Sequence, residues 1–256
     1  MEGLSLPMAT FGSLAVVLLL ALNQLSIGRW HFLHGRDRSP WLSVSAGTAL
    51  AYVFVHLLPK LALSQQKLDG ALWVGVYGFW RNHLYLIALG GLVMYYCLDT
   101  LARRSVRRRQ LGHQPRRGSL ILIVGVYGLY YLQLGYLVAD VPRPGIGAYL
   151  LIAGVLSVHL MGINHGLRDL QPARYDSLLR WVYAGTLLGG WLAGVLTELK
   201  LETISILSAF IAGGIIYAAM REELPAHDSA RLVPFVLGVV VTTLAILGLQ
   251  WLQTAG

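Results

Sequence analysis

Seven side chains could bind an ion or a polar solute in a chain otherwise poor in polar groups: His56, Gln133, His159, Asn164, His165, Glu222 and Glu223. Imidazole nitrogens, amide oxygens and carboxylates are the groups with which proteins replace the water around a cation. Asn164 and His165 follow His159 closely, while Gln133 stands among Tyr130, Tyr131 and Tyr136. His165 is six residues beyond His159, which on a regular helix turns it about 120° away. The two imidazoles cannot share one ion unless the helix bends, and Gly162 is where it could. His165 neighbours Arg168 and Asp169, so an interfacial histidine is its plainer reading. His159 has two readings: a ligand on a solute pathway, and a buried imidazole bonded to a neighbouring helix. It is the one candidate metal ligand, and it is expected to face Gln133 across a hydrated cavity. No nucleophile stands with a base and an orienting group, so no catalytic residue is expected and the chain does not read as an enzyme. Haem held by His56, His83, His159 and His165 would need paired histidines facing across a helical core.

These residues sit in runs that only lipid can solvate. The chain of 256 residues is 56% hydrophobic and 12% charged, with mean hydropathy +0.61. A soluble domain carries about 25% charged residues. The runs free of Asp, Glu, Lys and Arg predict an all-α, polytopic membrane protein of about eight transmembrane helices, because a span needs about 20 mostly apolar residues. The expected spans are 6–27, 41–60, 82–99, 119–139, 146–167, 178–197, 203–221 and 232–252 in one transmembrane domain. Gly70–Trp80 is too short and reads as an interfacial segment. Helices are expected because backbone polar groups in lipid must be satisfied within the segment. The first span is not expected to be a cleaved signal peptide, since its leader holds Glu2 and no basic residue. Cys97, the single cysteine, excludes a disulfide framework or a cysteine-rich metal site and reads as a small buried hydrophobe.

Charge sets the orientation. With the N-terminus outside, the inward loops hold Arg29, Arg36 and Arg38, the run from Arg103 to Arg117, then Arg168, Arg174, Arg180, Arg221 and Arg231. Only Lys60, Lys67, Arg81, Arg143 and Lys200 fall outside. This bias predicts a cell-membrane protein with both termini outside and loop 100–118 in the cytoplasm. The net charge of +8 therefore belongs to topology, and no nucleic-acid partner is expected. The lipid bilayer is the expected partner.

Two segments share a frame. Ala46-Gly47 precedes Leu58-Pro59 as Ala212-Gly213 precedes Leu224-Pro225. The second and seventh spans run in opposite directions, so the match suggests an inverted repeat of helices 1–3 and 6–8 around helices 4–5. Small residues at four-residue spacing (Ser43, Gly47 and Ala51; Gly185 and Gly189; Gly190 and Gly194; Ala209 and Gly213) let helices approach closely, in a tight bundle or a homodimer.

The pattern resembles the ZIP family of divalent-metal transporters. Ser45-Ala46-Gly47 leading to His56-Leu57-Leu58-Pro59 is similar to the family's second helix. Ala212-Gly213-Gly214 leading to Glu222-Glu223-Leu224-Pro225 is similar to its seventh. The resemblance implies eight spans, both termini outside, and a metal site on helices 4 and 5. Setting Gly135 on the glycine of the family's helix 4 pattern puts Tyr130 on its histidine, Tyr131 on its asparagine and Leu134 on its carboxylate. Setting His159 on the first histidine of helix 5 puts Leu160 and Asn164 on the carboxylates and Ile163 on the second histidine. The loop holds one histidine, His113.

One histidine, one asparagine and one glutamine cannot neutralise a divalent cation. The expectation is thus a divergent ZIP-like transporter, moving a metal ion or other small solute, with most standard ligands missing. No cofactor is expected beyond a divalent metal as substrate. The alternative is a non-transporting sensor or assembly partner on the same scaffold.

Overall fold

The computed structural model describes residues 6–30, 39–69, 83–110, 117–139, 145–197, 199–223 and 231–255. Among them the chain forms eight helical rods and no strand. Helix α1 is Leu6–Ser26. Helix α2 is built of Pro40–Tyr52, a wide π turn over Val53–Leu57, and Leu58–Asp69. Then come α3, Leu84–Gln110; α4, Arg117–Ala139; and α5, Ile146–Leu170. Helix α6 joins Pro172–Arg174, a π turn over Tyr175–Leu179, and Arg180–Leu196. Helices α7, Leu201–Glu223, and α8, Leu232–Ala255, complete the chain.

Six of these rods, α1, α2, α3, α5, α7 and α8, are long and apolar enough to cross a membrane. The apolar stretch of α4, Ile123–Ala139, is shorter. The outside of the bundle carries large apolar side chains such as Phe11, Leu150, Val233, Leu244 and Trp251. A soluble monomer rarely exposes such a continuous apolar surface. This is the build of a multi-pass membrane protein.

The ends of the rods have local causes. Ser39 caps α2, its hydroxyl accepting from the Trp41 N–H at 3.4 Å, with Pro40 at the first helical position. Pro59 lacks the N–H that would return to Val55, and its ring crowds that carbonyl. The π turn just ahead, closed by the Leu58 N–H on the Val53 carbonyl, accommodates it. Helix α3 runs past the expected end of its span to Gln110, so residues 100–110 of the expected basic loop are helical. Arginine and glutamine are good helix formers, and no Gly or Pro interrupts them. Residues 111–116, with His113, and the segment 70–80 lie outside the described residues.

Close packing pairs α2 with α8, α3 with α7 and α4 with α6, while α5 lies against α1 and α2. Glycine makes each of the first three approaches. A Cβ on Gly47 would strike the Phe235 carbonyl oxygen of α8, and one on Gly238 would strike that of Val44. A Cβ on Gly213 would strike the Ala88 carbonyl oxygen of α3, and one on Gly91 that of Phe210. Gly135 and Gly190 do the same between α4 and α6. Of the expected small-residue stripes, Gly185 and Gly189 differ: nothing lies within 4 Å of where their Cβ would be. Helix α6 turns Gly190 toward α4, and two residues one and five positions earlier necessarily face elsewhere.

Candidate functional site

Two polar residues of α5, His159 and Asn164, are paired with tyrosines. The Tyr130 hydroxyl is hydrogen-bonded to Nε2 of His159 at 2.8 Å, and both are buried. Tyr131 donates to Oδ1 of Asn164 at 2.6 Å, and Tyr175 donates to the same oxygen at 3.0 Å. Asn164 is 0% exposed, so both lone pairs of its only cation-binding atom are engaged. Its amide nitrogen is buried without a partner among the described residues. The π turn of α6 delivers Tyr175 to this point, and Tyr183 stacks on Tyr131 with ring centroids 5.3 Å apart. The two tyrosines that stand where the resemblance puts a histidine and an asparagine thus hold the polar residues that remain. A neutral phenol adds no charge with which to balance a cation.

Helix α5 is also fixed along its backbone. Asn23 of α1 donates to the Ser157 carbonyl at 2.7 Å, and Ser45 of α2 donates to the Val158 carbonyl at 2.7 Å. These two bonds fix the height and rotation of His159 between α1 and α2. The other candidates are dispersed. Gln133 is buried, and its amide oxygen has no partner among the described residues. His159 therefore has Tyr130, not Gln133, as its hydrogen-bonding partner. His165 lies 3.3 Å from the Asp169 carboxylate, on its own helix and apart from the His159 bond. The side chains of Glu222 and Glu223 lie outside the described residues. Among the described residues no three His, Cys, Asp or Glu side chains group so as to hold a metal ion.

His56 has a different setting. The π turn aligns Tyr52, His56 and Lys60 along one side of α2, with the rings of Tyr52 and His56 stacked at 5.2 Å. This stripe borders a cavity of about 310 Å³ whose other walls come from α4, α5, α7 and α8. All five helices contribute residues from the same end of the bundle, the end at which α8 terminates. Leu134 and Leu156 line it. They stand about one helical turn from Tyr130 and His159 respectively. The cavity thus leads toward the tyrosine–histidine pair and ends on leucine.

One cluster was not foreseen. Asp99, 4% exposed on α3, accepts from Arg103 at 2.8 Å, from the Tyr217 hydroxyl at 2.9 Å and from Arg221 at 3.1 Å. The Arg221 guanidinium also occupies the space beside Gly166 of α5. This clasp joins α3, α5 and α7 at the end of the bundle opposite the cavity. Its signal in the sequence is a pair of four-residue spacings, Asp99 to Arg103 and Tyr217 to Arg221. A small internal space lined by Tyr130, Tyr217 and Arg221 lies between the clasp and the His159 pair.

Cys97 is exposed on the bundle surface rather than buried as expected. It lies two residues from Tyr95, which faces inward, on a helix whose opposite side meets α7. The chain matches no known protein-family model and no curated protein sequence.

Proposed function

We propose that the chain is a ZIP-like membrane carrier that moves a small solute other than a bare divalent cation. The observation that carries this reading is the cavity of about 310 Å³ that enters from one end of the bundle and ends on Leu134 and Leu156, about one helical turn short of the Tyr130–His159 pair. The reading takes all eight rods as spans, with both termini outside and the Arg103–Gln110 end of α3 in the cytoplasm. Basic residues on that side favour this orientation.

An inverted repeat of helices 1–3 and 6–8 fits the packing. Gly47 meets Phe235 and Val239 of α8 as Gly213 meets Ala88 and Leu92 of α3. The partners are four residues apart in both cases, and the return contacts, Gly238 on Val44 and Gly91 on Phe210, keep the same offset. The α4–α6 pair keeps that offset as well, through Gly135 and Gly190, so the support for the repeat is that α2 packs on α8 as α7 packs on α3, an exchange that repeated halves of opposite direction would make. Bare zinc or iron does not suit the site, since a divalent ion leaving water needs several charged or imidazole ligands. A monovalent, hydrated or organic solute needs fewer.

The second reading, a non-transporting membrane protein on the same scaffold, is favoured by one observation. The bonds of Tyr130 and Tyr131 to α5 occupy the residues a solute would have to meet. Flux into vesicles reconstituted with the purified protein separates the two. The carrier reading expects uptake of a member of a panel of monovalent ions and small organic solutes, abolished by His159→Ala. No flux of any member would overturn it in favour of the second.

A further inference from the structure

We infer that the cavity bordered by α2 is a binding site for a single-chain anionic amphiphile, an alkyl chain ending in a carboxylate. This deepens the carrier reading by naming the class of molecule its vestibule takes, and it rests on that reading only for what happens after binding.

The walls decide the tail. Leu134, Ile152, Leu156, Ile211, Ile215 and Ile246 bring aliphatic side chains from four helices to one space. A hydrated ion or a sugar there would lose water and find few groups to replace it. An alkyl chain loses nothing and removes apolar surface from water. The volume, about 310 Å³, is at the small end for ligand cavities and suits one chain rather than the two of a bilayer phospholipid. Its leucine floor stops the tail short of the Tyr130–His159 pair.

The rim decides the head. Lys60 lines the cavity and is exposed, and it forms no ion pair among the described residues. His56 is one turn away on the same side of α2, and no carboxylate lines the space among the described residues. An ammonium on a flexible stem at the edge of an apolar cavity reaches toward water while its methylenes cover the wall. A carboxylate at that edge meets a positive charge beside a surface of low dielectric, where the attraction exceeds its value in bulk water. A molecule with its charge at one end and hydrocarbon at the other satisfies both requirements together.

The test uses the full chain in nanodiscs of zwitterionic lipid, titrated with the fluorescent fatty acid cis-parinarate. Saturable binding is expected, weakened about tenfold by Lys60→Glu, a difference of about 1.4 kcal/mol. The methyl ester of the probe should show a similar loss. Ile211→Trp, which fills the cavity, should remove binding, and Lys60→Gln should fall between wild type and Lys60→Glu. Absence of saturable binding overturns the site, as does equal affinity for acid and ester, or binding unaffected by Ile211→Trp. Competition by phosphatidylglycerol as strong as by oleate would overturn the single-chain assignment. Saturable parinarate binding by a protein that carries no solute of the vesicle panel would leave this site standing and overturn the carrier reading. Flux without parinarate binding would do the reverse.

Discussion

The Tyr130 hydroxyl and Nε2 of His159 lie 2.8 Å apart, buried between α4 and α5. A histidine that would otherwise be an unsatisfied polar group in the middle of an apolar bundle is thereby partnered, and the cost of burying it is offset by a phenol. Tyr130→Phe removes the partner and leaves the imidazole orphaned. Thermal unfolding in detergent should show a loss of about 1–3 kcal/mol, the range for a buried group left unpaired. His159→Phe in the same background should recover part of that loss, because both ends of the bond are then apolar. Equal stability of Tyr130→Phe and the parent would mean the bond contributes nothing.

The two glycine contacts with matching register predict matching costs. Gly47→Ala and Gly213→Ala each push a methyl against a carbonyl oxygen of the partner helix. Each should destabilise by about 1–3 kcal/mol, the usual effect of overpacking. Gly125→Ala and Gly154→Ala, with nothing within 4 Å of the new methyl, should be neutral or stabilise by about 0.5–1 kcal/mol through helix propensity. A large cost at Gly47 with none at Gly213 would contradict equivalent packing of the α2–α8 and α3–α7 pairs.

Asp99 is the charge the bundle tolerates at depth because Arg103, Tyr217 and Arg221 surround it. Arg221→Ala removes the more buried of the two cations on Asp99, leaving Arg103 and Tyr217, and should cost about 1–3 kcal/mol, measured by unfolding in detergent. The double variant Asp99→Leu, Arg221→Leu should cost less than Arg221→Ala alone, since it buries no charge and the Arg103 left behind is largely exposed. A double variant worse than the single would show that the cluster holds the helices by more than charge balance.

Topology can be read by labelling. In a Cys97→Ala background, a cysteine replacing Gln253 should react with an impermeant maleimide on intact cells. A cysteine replacing Arg108 should react only after the membrane is opened. The opposite pattern would invert the orientation that the basic residues imply.

A charge-free run falls within each described rod, and six of those rods are long and apolar enough to cross a membrane, because hydrocarbon tolerates so few charges. Rod ends were less legible. The arginines after Leu101 ended the apolar stretch of α3 without ending its helix, since leaving the hydrocarbon and leaving the helix are different events. Asp99 is the last residue of the expected span 82–99, and a lone acid at the edge of an apolar run looks the same whether it faces water or two arginines. His159, Asn164 and Gln133 were legible as polar residues at depth, yet their partners were not. Tyr130 and Tyr131 precede the residues they bind by 29 and 33 positions, and nothing in local spacing joins them. Tyrosine reads as an interfacial or core aromatic until the facing helix is known. Gly47 and Gly213 stood out by their shared frame, whereas Gly185 and Gly189 have the same spacing and face away from any helix.

The central claim of the proposed function is that His159 and Asn164, bonded to tyrosines, do not serve as ligands to a divalent metal. Calorimetric titration of the purified, chelator-treated protein with zinc measures this most directly. The account predicts no saturable binding, and no change when His159 is replaced by alanine. One zinc bound per chain with high affinity, lost in His159→Ala, would contradict it.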